Sequence, residues 1–283
     1  MQNMDLGDNE LKPIKILGAG SFGRVFLCNY RHKYKVCVKR IIVKNPKKEM
    51  KIVMHEIYIM SQLRHPHIVH YVRSFVHAGT VNIVMEYAPN GTLHDLIRGS
   101  LPNGFTAAEV IHHFCDILMG LEYLHTRHVI HRDLKPANLL VDSNFCIKIG
   151  DFGISFINSP NVTHDFAGTI LYMAPEIMRC EKFNNKCDIW SLGCLLYEIC
   201  CGRNPFAHAT CRDEVDRLIH SFTRRRLDCS AIRSKYGTMW ANLCSSMLVT
   251  DVENRISLEK ILHWDASLTL YYYRKYFAYS YQK

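Results

Sequence analysis

Four polar side chains in the middle of the chain have types and a spacing that suit phosphoryl transfer. Asp133, Lys135 and Asn138 come first, and Asp151 follows after two short apolar runs. Carboxylate and amide oxygens are ligands for a hard divalent cation, and a carboxylate can also accept the proton of a hydroxyl group. Phosphoryl transfer uses both functions, because negative charge must be neutralised and the attacking hydroxyl must be oriented.

A β-hairpin is predicted to bring these side chains together. The segments 139–141 and 146–149 are short and apolar, and the residues 142–144 between them, Asp-Ser-Asn, favour a turn. Because a hairpin reverses the direction of the chain, the polar residues before it can face Asp151 after it.

The elements around this hairpin change character along the chain. Strands are predicted at 14–17, 26–28, 36–42, 67–75 and 81–85, with a helix at 49–63 that carries Glu56. The turn-rich segment 86–91 separates this β-rich region from an α-rich one. Helices are then predicted at 93–97, 107–125, 186–201, 214–223 and 257–263, and the tail after them is crowded with tyrosines.

A glycine pattern lies between the first two predicted strands, with glycines at Gly18, Gly20 and Gly23. Glycine lets backbone amides approach phosphate oxygens closely, since no Cβ is in the way. A dinucleotide-binding fold requires a helix after such glycines, whereas a strand follows here. Taken alone, the pattern is compatible with a phosphate-binding loop or with an ordinary hairpin turn.

Composition narrows the class of protein. The chain has 283 residues, of which 48% are apolar, and this is enough for one large or two small domains. The net charge is +9, but no recognisable nucleic-acid motif accompanies it, so a solvated basic surface is favoured and no nucleic-acid partner is expected. The apolar segment 189–201 is too short to span a bilayer and contains Glu198, so no membrane partner is expected.

The twelve cysteines include no Cys-x-x-Cys pair, and no signal peptide opens the chain. Reduced thiols in a cytoplasmic protein are therefore predicted, with cytoskeletal association or the nucleus as alternative locations.

Six motifs in a fixed order resemble those of a eukaryotic protein kinase domain of the serine/threonine type. They are the glycine loop 18–25, Lys39, Glu56, the segment 131–138, Asp151-Phe152-Gly153 and Ala174-Pro175-Glu176. Within that family the segments 83–88, 150–155 and 187–194 are most similar to NIMA-related kinases. The resemblance implies an α+β, two-lobed kinase fold, with a small β-rich N-lobe containing one helix and a larger, mainly helical C-lobe. The expected organisation is a flexible N-terminus 1–10, a kinase domain 11–264 and a Tyr-rich tail 265–283, with N-lobe 11–86, hinge 87–91 and C-lobe 92–264.

The resemblance implies ATP and Mg²⁺ as cofactors. The residues expected to contact ATP are Gly18, Ala19, Gly20, Ser21, Phe22, Gly23, Val25, Cys37, Lys39, Glu56, Met85, Glu86, Ala88 and Leu140. Among them Lys39 would neutralise the phosphates and Glu56 would hold it by an ion pair. Cys37 stands where most members have an alanine against adenine, and Met85 stands at the back of the adenine pocket.

The catalytic roles are also carried over by resemblance. Asp133 would accept the proton of the substrate hydroxyl, and Lys135 would reach the γ-phosphoryl oxygens. Asp151 and Asn138 would hold Mg²⁺. Lys135 is typical of members that phosphorylate serine or threonine, so protein substrates bearing these residues are expected partners.

Further positions resemble supporting residues of the family. Asp188 would anchor the catalytic loop, and Arg255 would pair with Glu176 in the interior. A stacked column would contain His131, Phe152, Met60 and Tyr71.

Regulation is expected to involve the segment before Glu176. Arg132 would pair with Asp165, which lies where many members carry a phosphorylated residue, although Thr163 or Ser159 could be the phosphorylated residue instead. Thr169 would contact both Asp133 and Lys135, and Ile170 replaces a usual proline, which leaves the substrate preference open. The expected function is transfer of the ATP γ-phosphoryl group to protein serine or threonine. A nucleotide- or partner-binding pseudokinase is the main alternative, and a tyrosine-directed enzyme is another. The oligomeric state is left open.

Overall fold

The computed structural model describes residues 6–20, 23–157, 170–224 and 227–280, which divide into one unit up to Pro89 and a second unit from Asn90. The division falls inside the segment 87–91, for which a hinge is predicted. The domain boundaries given above remain a prediction, and the two units are described separately.

The first unit is an antiparallel sheet of five strands with one helix, α1 (Pro46–Gln62). The spatial order of the strands is β1-β2-β3-β5-β4. Their bounds are β1 Leu11–Gly20, β2 Gly23–Tyr30, β3 Tyr34–Ile42, β4 Tyr71–His77 and β5 Thr80–Glu86. The α+β expectation is confirmed for this unit.

The two faces of this sheet have different roles because successive side chains of a strand point to opposite sides. One face carries Phe26, Val38 and Val84, which form a core cluster with Leu6 and Leu11. Lys39 follows Val38 and therefore belongs to the opposite face. The alternation in β3 thus separates the hydrophobic core from the predicted nucleotide-binding side chains.

The strand predicted at 67–75 begins later in the structure, at Tyr71. The reason is a turn after α1, in which the Ile68 amide donates to the His65 carbonyl oxygen at 3.1 Å. The register with β5 then starts where Tyr71 lies opposite Met85.

The second unit is mainly helical and contains two small antiparallel pairs of strands, in which β6 pairs with β9 and β7 pairs with β8. Its strands are β6 Val129–Ile130, β7 Leu139–Val141, β8 Ile147–Ile149 and β9 Phe156–Ile157. Its helices are α2 Leu93–Ser100, α3 Ala107–Thr126, α4 Pro175–Met178, α5 Lys186–Cys201, α6 Arg212–Arg224, α7 Ser230–Tyr236, α8 Thr238–Met247, α9 Leu258–Leu262 and α10 Ala266–Ser280.

Local sequence signals explain where the principal helices begin. The side chains of Thr92 and Thr106 each accept a hydrogen bond from the backbone amide of the third helical residue. Those third residues, Asp95 and Glu109, accept a hydrogen bond in turn from the backbone amide of the capping threonine. These capping boxes satisfy amides that have no partner within the helix. The predicted helices at 93–97, 107–125, 186–201, 214–223 and 257–263 and the hairpin around 142–144 are confirmed, with small differences at their ends.

Helices α4, α7, α8 and α10 are absent from the sequence predictions. The tyrosine-rich tail forms α10, in which Leu268 and Tyr272 are buried. Over the part of the chain that the structure describes, none of the helices combines the length and the apolar character needed to cross a membrane.

Candidate active site

The first unit holds the lysine predicted to bind phosphate. Lys39 Nζ donates to Glu56 Oε1 at 2.7 Å, and the Glu56 side chain is only 5% exposed. Lys39 lies on β3 opposite Val25 of β2 and Ile83 of β5. Helix α1 supplies Glu56, so the ion pair connects the helix to the sheet and fixes the direction of the lysine side chain.

The glycine loop is the hairpin between β1 and β2. Gly18 lies opposite Val25, and Gly20 lies opposite Gly23. Between these pairs Ala19 lies opposite Arg24. Ser21 and Phe22 lie outside the described residues.

The glycines of this loop are needed for different reasons. A Cβ on Gly18 would meet nothing within 4 Å, which leaves the backbone accessible to a ligand. Gly23 has a φ of +146°, and a Cβ there would lie 1.8 Å from the carbonyl oxygen of Arg40. Gly23 is therefore required by the close approach of β3, whatever the loop binds.

The residues predicted to contact adenine occupy β3, β5 and the segment after β5. Cys37 is buried opposite Met85, and burial raises the pKa of its thiol to about 12. Glu86 is held through its carboxylate, which accepts the His70 amide at 2.7 Å. Ala88 is buried two residues later. Leu140 belongs to the second unit, on β7.

The catalytic loop of the second unit is fixed by one buried carboxylate. Asp188 of α5 accepts the backbone amides of His131 at 2.9 Å and of Arg132 at 2.8 Å, and it also contacts His125 Nε2 at 2.9 Å. Arg132 has a φ of +69°, a strained conformation for a residue with a side chain. Burial acts to raise the pKa of Asp188, but the hydrogen bond from His125 and the nearby positive groups outweigh it, and the pKa is lowered.

His125 is a supporting residue that the sequence predictions did not include. Its Nε2 atom reaches Asp188, and its side chain is only 6% exposed. A histidine at the buried end of α3, six residues before His131, was the available signal. It could be interpreted only once α5 was known to pack beside this loop.

The predicted base and its neighbours form one hydrogen-bonded group. Lys135 Nζ donates to Asp133 Oδ2 at 2.7 Å. Asn138 Nδ2 donates to the same oxygen at 2.9 Å and to the Asp133 carbonyl oxygen at 2.8 Å. Charge-assisted bonds of this kind stabilise an ionised carboxylate, which is the form able to accept a proton.

The two predicted metal ligands lie on either side of the β7–β8 hairpin. Asn138 precedes it, Asp151 follows it, and the Gly150 amide donates to the Asn138 carbonyl oxygen at 2.9 Å. The bonds made by Asn138 Nδ2 direct its amide oxygen away from Asp133. Asp151 is exposed, with a φ of +60°. An amide oxygen together with a carboxylate is a donor set that fits Mg²⁺.

His131 and Phe152 form the second-unit half of the column implied by the resemblance. Their rings meet edge to face with centroids 5.2 Å apart, and both are buried. His131 Nε2 also contacts the Gly150 carbonyl oxygen at 3.0 Å. Met60, which is buried, and Tyr71 belong to the first unit, on α1 and at the start of β4.

Arg132, the predicted regulatory cation, lies over the ring of Phe183 at 5.2 Å. Burial lowers the pKa of its guanidinium, and within the described part of the chain its Nε atom has no hydrogen-bond partner. Asp165 and Thr169 lie outside the described residues, as do the alternatives Ser159 and Thr163. Ile170 begins a short helical turn that ends at Tyr172.

Comparison with known proteins agrees with this arrangement. The sequence matches the family described as "Protein kinase domain" over residues 11–265. It is 37% identical over 198 residues to serine/threonine-protein kinase Nek5 of Homo sapiens, covering 68% of this chain and 28% of that protein. It is 32% identical over 252 residues to Nek8 of Danio rerio, covering 88% of this chain and 35% of that protein. It is 32% identical over 269 residues to an Aurora kinase of Eremothecium gossypii, covering 92% of this chain and 69% of that protein. The chain thus spans about a third of the length of these two Nek relatives.

Proposed function

The chain belongs to the protein kinase family, and we propose that it transfers the γ-phosphoryl group of ATP to serine or threonine hydroxyls of protein substrates. The similarity to Nek kinases supports this proposal, since the names of those relatives specify serine/threonine-protein kinases. The observation that carries it is the group formed by Asp133, Lys135 and Asn138, which joins a proton acceptor, a cation and a metal ligand.

Each of these residues has a distinct task in the proposed reaction. Asp133 accepts the proton of the substrate hydroxyl and orients the oxygen for attack on the γ-phosphorus. Lys135 places an ammonium group next to that carboxylate. Its positive charge can stabilise the negative charge on the phosphoryl oxygens. Lys39, held by Glu56, binds the phosphates that remain on the leaving nucleotide.

Asn138 and Asp151 would hold Mg²⁺, which when bound neutralises charge on the phosphates. The remaining ATP contacts are assigned to the glycine loop, to Cys37, Met85, Glu86 and Ala88, and to Leu140. Glycine at position 18 leaves the loop amides open to phosphate oxygens. Lys135 favours serine or threonine over tyrosine as the acceptor.

A peptide-library assay tests the proposal. The protein is incubated with Mg²⁺ and labelled ATP, and transfer to serine, threonine and tyrosine peptides is compared. Lys39→Met should abolish transfer, whereas Lys35→Met, an exposed lysine on the same strand, should leave it unchanged. Asp133→Asn should lower the rate by about 10²–10⁴-fold, the usual contribution of a general base, and should still bind ATP. A wild-type protein that binds Mg²⁺–ATP but modifies none of the peptides would be the pseudokinase.

We also propose that Asp165 pairs with Arg132 and orders the segment before Glu176 without phosphorylation. The support is that Arg132 is a largely buried cation beside the base, which favours an anionic partner. A carboxylate offers one charge, against about −1.5 to −2 for a phosphate, so the effect should be partial. Phosphatase-treated protein should stay active and Asp165→Ala should be slower. Activity that disappears on phosphatase treatment would instead favour Thr163 or Ser159 as the regulatory position.

Protein substrates bearing serine or threonine are the proposed partners, and a cytoplasmic location, with the cytoskeleton or nucleus as alternatives, is proposed from the cysteine content. Fractionation of cells that express a tagged chain would test the location.

A further inference from the structure

Polar contacts join helix α10 to the elements beneath it. Tyr271 Oη contacts His112 Nδ1 at 3.1 Å, and Tyr272 Oη donates to the Glu122 carboxylate. His112 and Glu122 both belong to α3. Lys275 Nζ donates to Asp116 in the middle of α3. Tyr279 Oη contacts Sγ of Cys146, the residue just before β8, at 3.5 Å. The helix is therefore joined both to α3 and to the hairpin that separates the two metal ligands.

Asp116 is the centre of this contact. It is fully buried, and its Oδ2 accepts the Ile147 amide at 2.9 Å while its Oδ1 accepts Lys275. His112 Nε2 lies 3.6 Å from the carboxylate. A buried carboxylate is stable only when it is paired and hydrogen-bonded. Lys275 provides the pairing charge, and the Ile147 amide gains a fixed acceptor.

The carboxylate with His112 and His113 could also hold a metal ion, since their ligand atoms lie within 4.8 Å of one another. Lys275 Nζ contacts both Asp116 and His112, the latter at 3.2 Å. An ammonium group thus takes the position between these two side chains, and the lysine is the cation that this cluster accommodates.

The hydrogen bond to Ile147 connects this cluster to the candidate active site. Ile147 opens β8, which ends at Ile149, and Asp151 follows. At the same end of the hairpin, Gly150 is hydrogen-bonded to Asn138. A displacement of β8 would therefore change the positions of both proposed Mg²⁺ ligands.

We propose that Asp116 and Lys275 are positioning residues, which hold the β7–β8 hairpin so that Asn138 and Asp151 can bind Mg²⁺ with ATP. This inference rests on the proposed function. Helix α10 lies beyond the family match, which ends at residue 265, so the positioning contact comes from a segment outside that match.

Mg²⁺ titrations of ATP binding, followed by calorimetry, test the inference. Lys275→Met should raise the Mg²⁺ concentration needed for half-maximal ATP binding by about tenfold, the lower end of the effect of losing an outer partner of a metal site. Lys275→Arg should restore the wild-type value. Arg274→Met, an exposed position on the same helix, is the matched control and should change nothing.

The double variant Asp116→Leu with Lys275→Met separates positioning from stability. Replacing a buried ion pair by apolar side chains often preserves stability, but here it also removes the acceptor of the Ile147 amide. This variant should melt above Lys275→Met, which leaves the Asp116 carboxylate buried without its ammonium partner, yet it should exchange the Ile147 amide hydrogen faster and keep the raised Mg²⁺ requirement.

The outcomes are distinguishable. A normal Mg²⁺ requirement in both the single and the double variant would overturn the inference alone. Wild-type protein that binds Mg²⁺–ATP without transferring phosphate would overturn the proposed function and leave the positioning role in place. Wild-type protein without Mg²⁺-dependent ATP binding would overturn both.

Discussion

Arg255 binds Glu176 through two parallel hydrogen bonds in the interior of the second unit, Nη1 to Oε1 at 2.7 Å and Nη2 to Oε2 at 2.9 Å. The side chains are 0% and 2% exposed. The guanidinium also donates to the carbonyl oxygens of Val249 and Lys186, both at 2.8 Å. One side chain therefore ties α4, the start of α5 and the segment after α8 together.

Loss of this pair should be strongly destabilising. Arg255→Met leaves the Glu176 carboxylate buried without a partner, and we expect the free energy of unfolding to fall by about 3–5 kcal/mol. Arg179 and Asp216 form a matched exposed pair at 3.3 Å, so Arg179→Met should cost less than about 1 kcal/mol. Urea denaturation of the two variants provides the comparison, and similar losses would contradict it.

Two glycines of the first hairpin should respond differently to a methyl group. Gly23→Ala places a Cβ against the Arg40 carbonyl oxygen, so it should lower the free energy of unfolding by more than about 1 kcal/mol. Gly18→Ala meets open space and should be neutral or slightly stabilising. Equal stability of the two variants in denaturant melts would show that the approach of β3 is not the constraint.

His113 should make stability depend on pH. Burial lowers its pKa from 6.5 to about 4, and the neighbouring His112 acts in the same direction. The unfolded chain therefore binds a proton near pH 6.5, whereas the folded protein does not until near pH 4. The contribution of His113 to the free energy of unfolding is therefore fully present above pH 6.5. It falls by about 3 kcal/mol as the pH decreases towards 4.

Urea melts between pH 7 and pH 4.5 measure this effect. His113→Leu should reduce the loss of stability over that range, whereas His208→Gln, at an exposed position, should not. An NMR titration in which His113 of the folded protein protonates near pH 6.5 would contradict the expectation.

The thiols should divide into reactive and protected groups. Burial raises the pKa of Cys37 and of Cys115 to about 12, so iodoacetamide at pH 7.5 should leave both unmodified. The hydrogen bond from Cys244, opposed by burial and assisted by Ser245, lowers the pKa of Cys229 to about 7. Mass spectrometry should find labelling of the exposed Cys180 and Cys211, whereas burial of the Cys229 side chain should slow its labelling despite the lowered pKa. As the control, all twelve thiols should be labelled in denaturant. Rapid modification of Cys37 in the folded protein would contradict its buried position on β3.

The sequence was most informative where local patterns and chemistry coincided. The hairpin around 142–144 follows from two apolar runs and a turn, and it accounts for the proximity of Gly150 and Asn138. The ion pair between Lys39 and Glu56 required the resemblance to a kinase, because nothing in the local sequence joins a strand to a helix seventeen residues away.

What the sequence predictions missed depends on contacts between distant segments. Leu268, Tyr272, Lys275 and Tyr279 recur with helical spacing and form the inner side of α10. That period was hidden because the exposed Tyr273, Tyr276 and Phe277 are equally aromatic. Asp116 could not be recognised as a site residue either, since Lys275 and the Ile147 amide, which it binds, are remote in the chain.

The contact between Lys275 and Asp116 also affects the order in which the chain can fold during synthesis. The two residues are 159 positions apart. At about 5–20 residues per second, Lys275 is made roughly 8–30 s after Asp116. Throughout that interval α3 carries a carboxylate whose pairing ammonium does not yet exist. Docking of α10 onto α3 can therefore occur only after that interval, and a nascent chain stalled before residue 275 should expose α3 to chaperones or proteases.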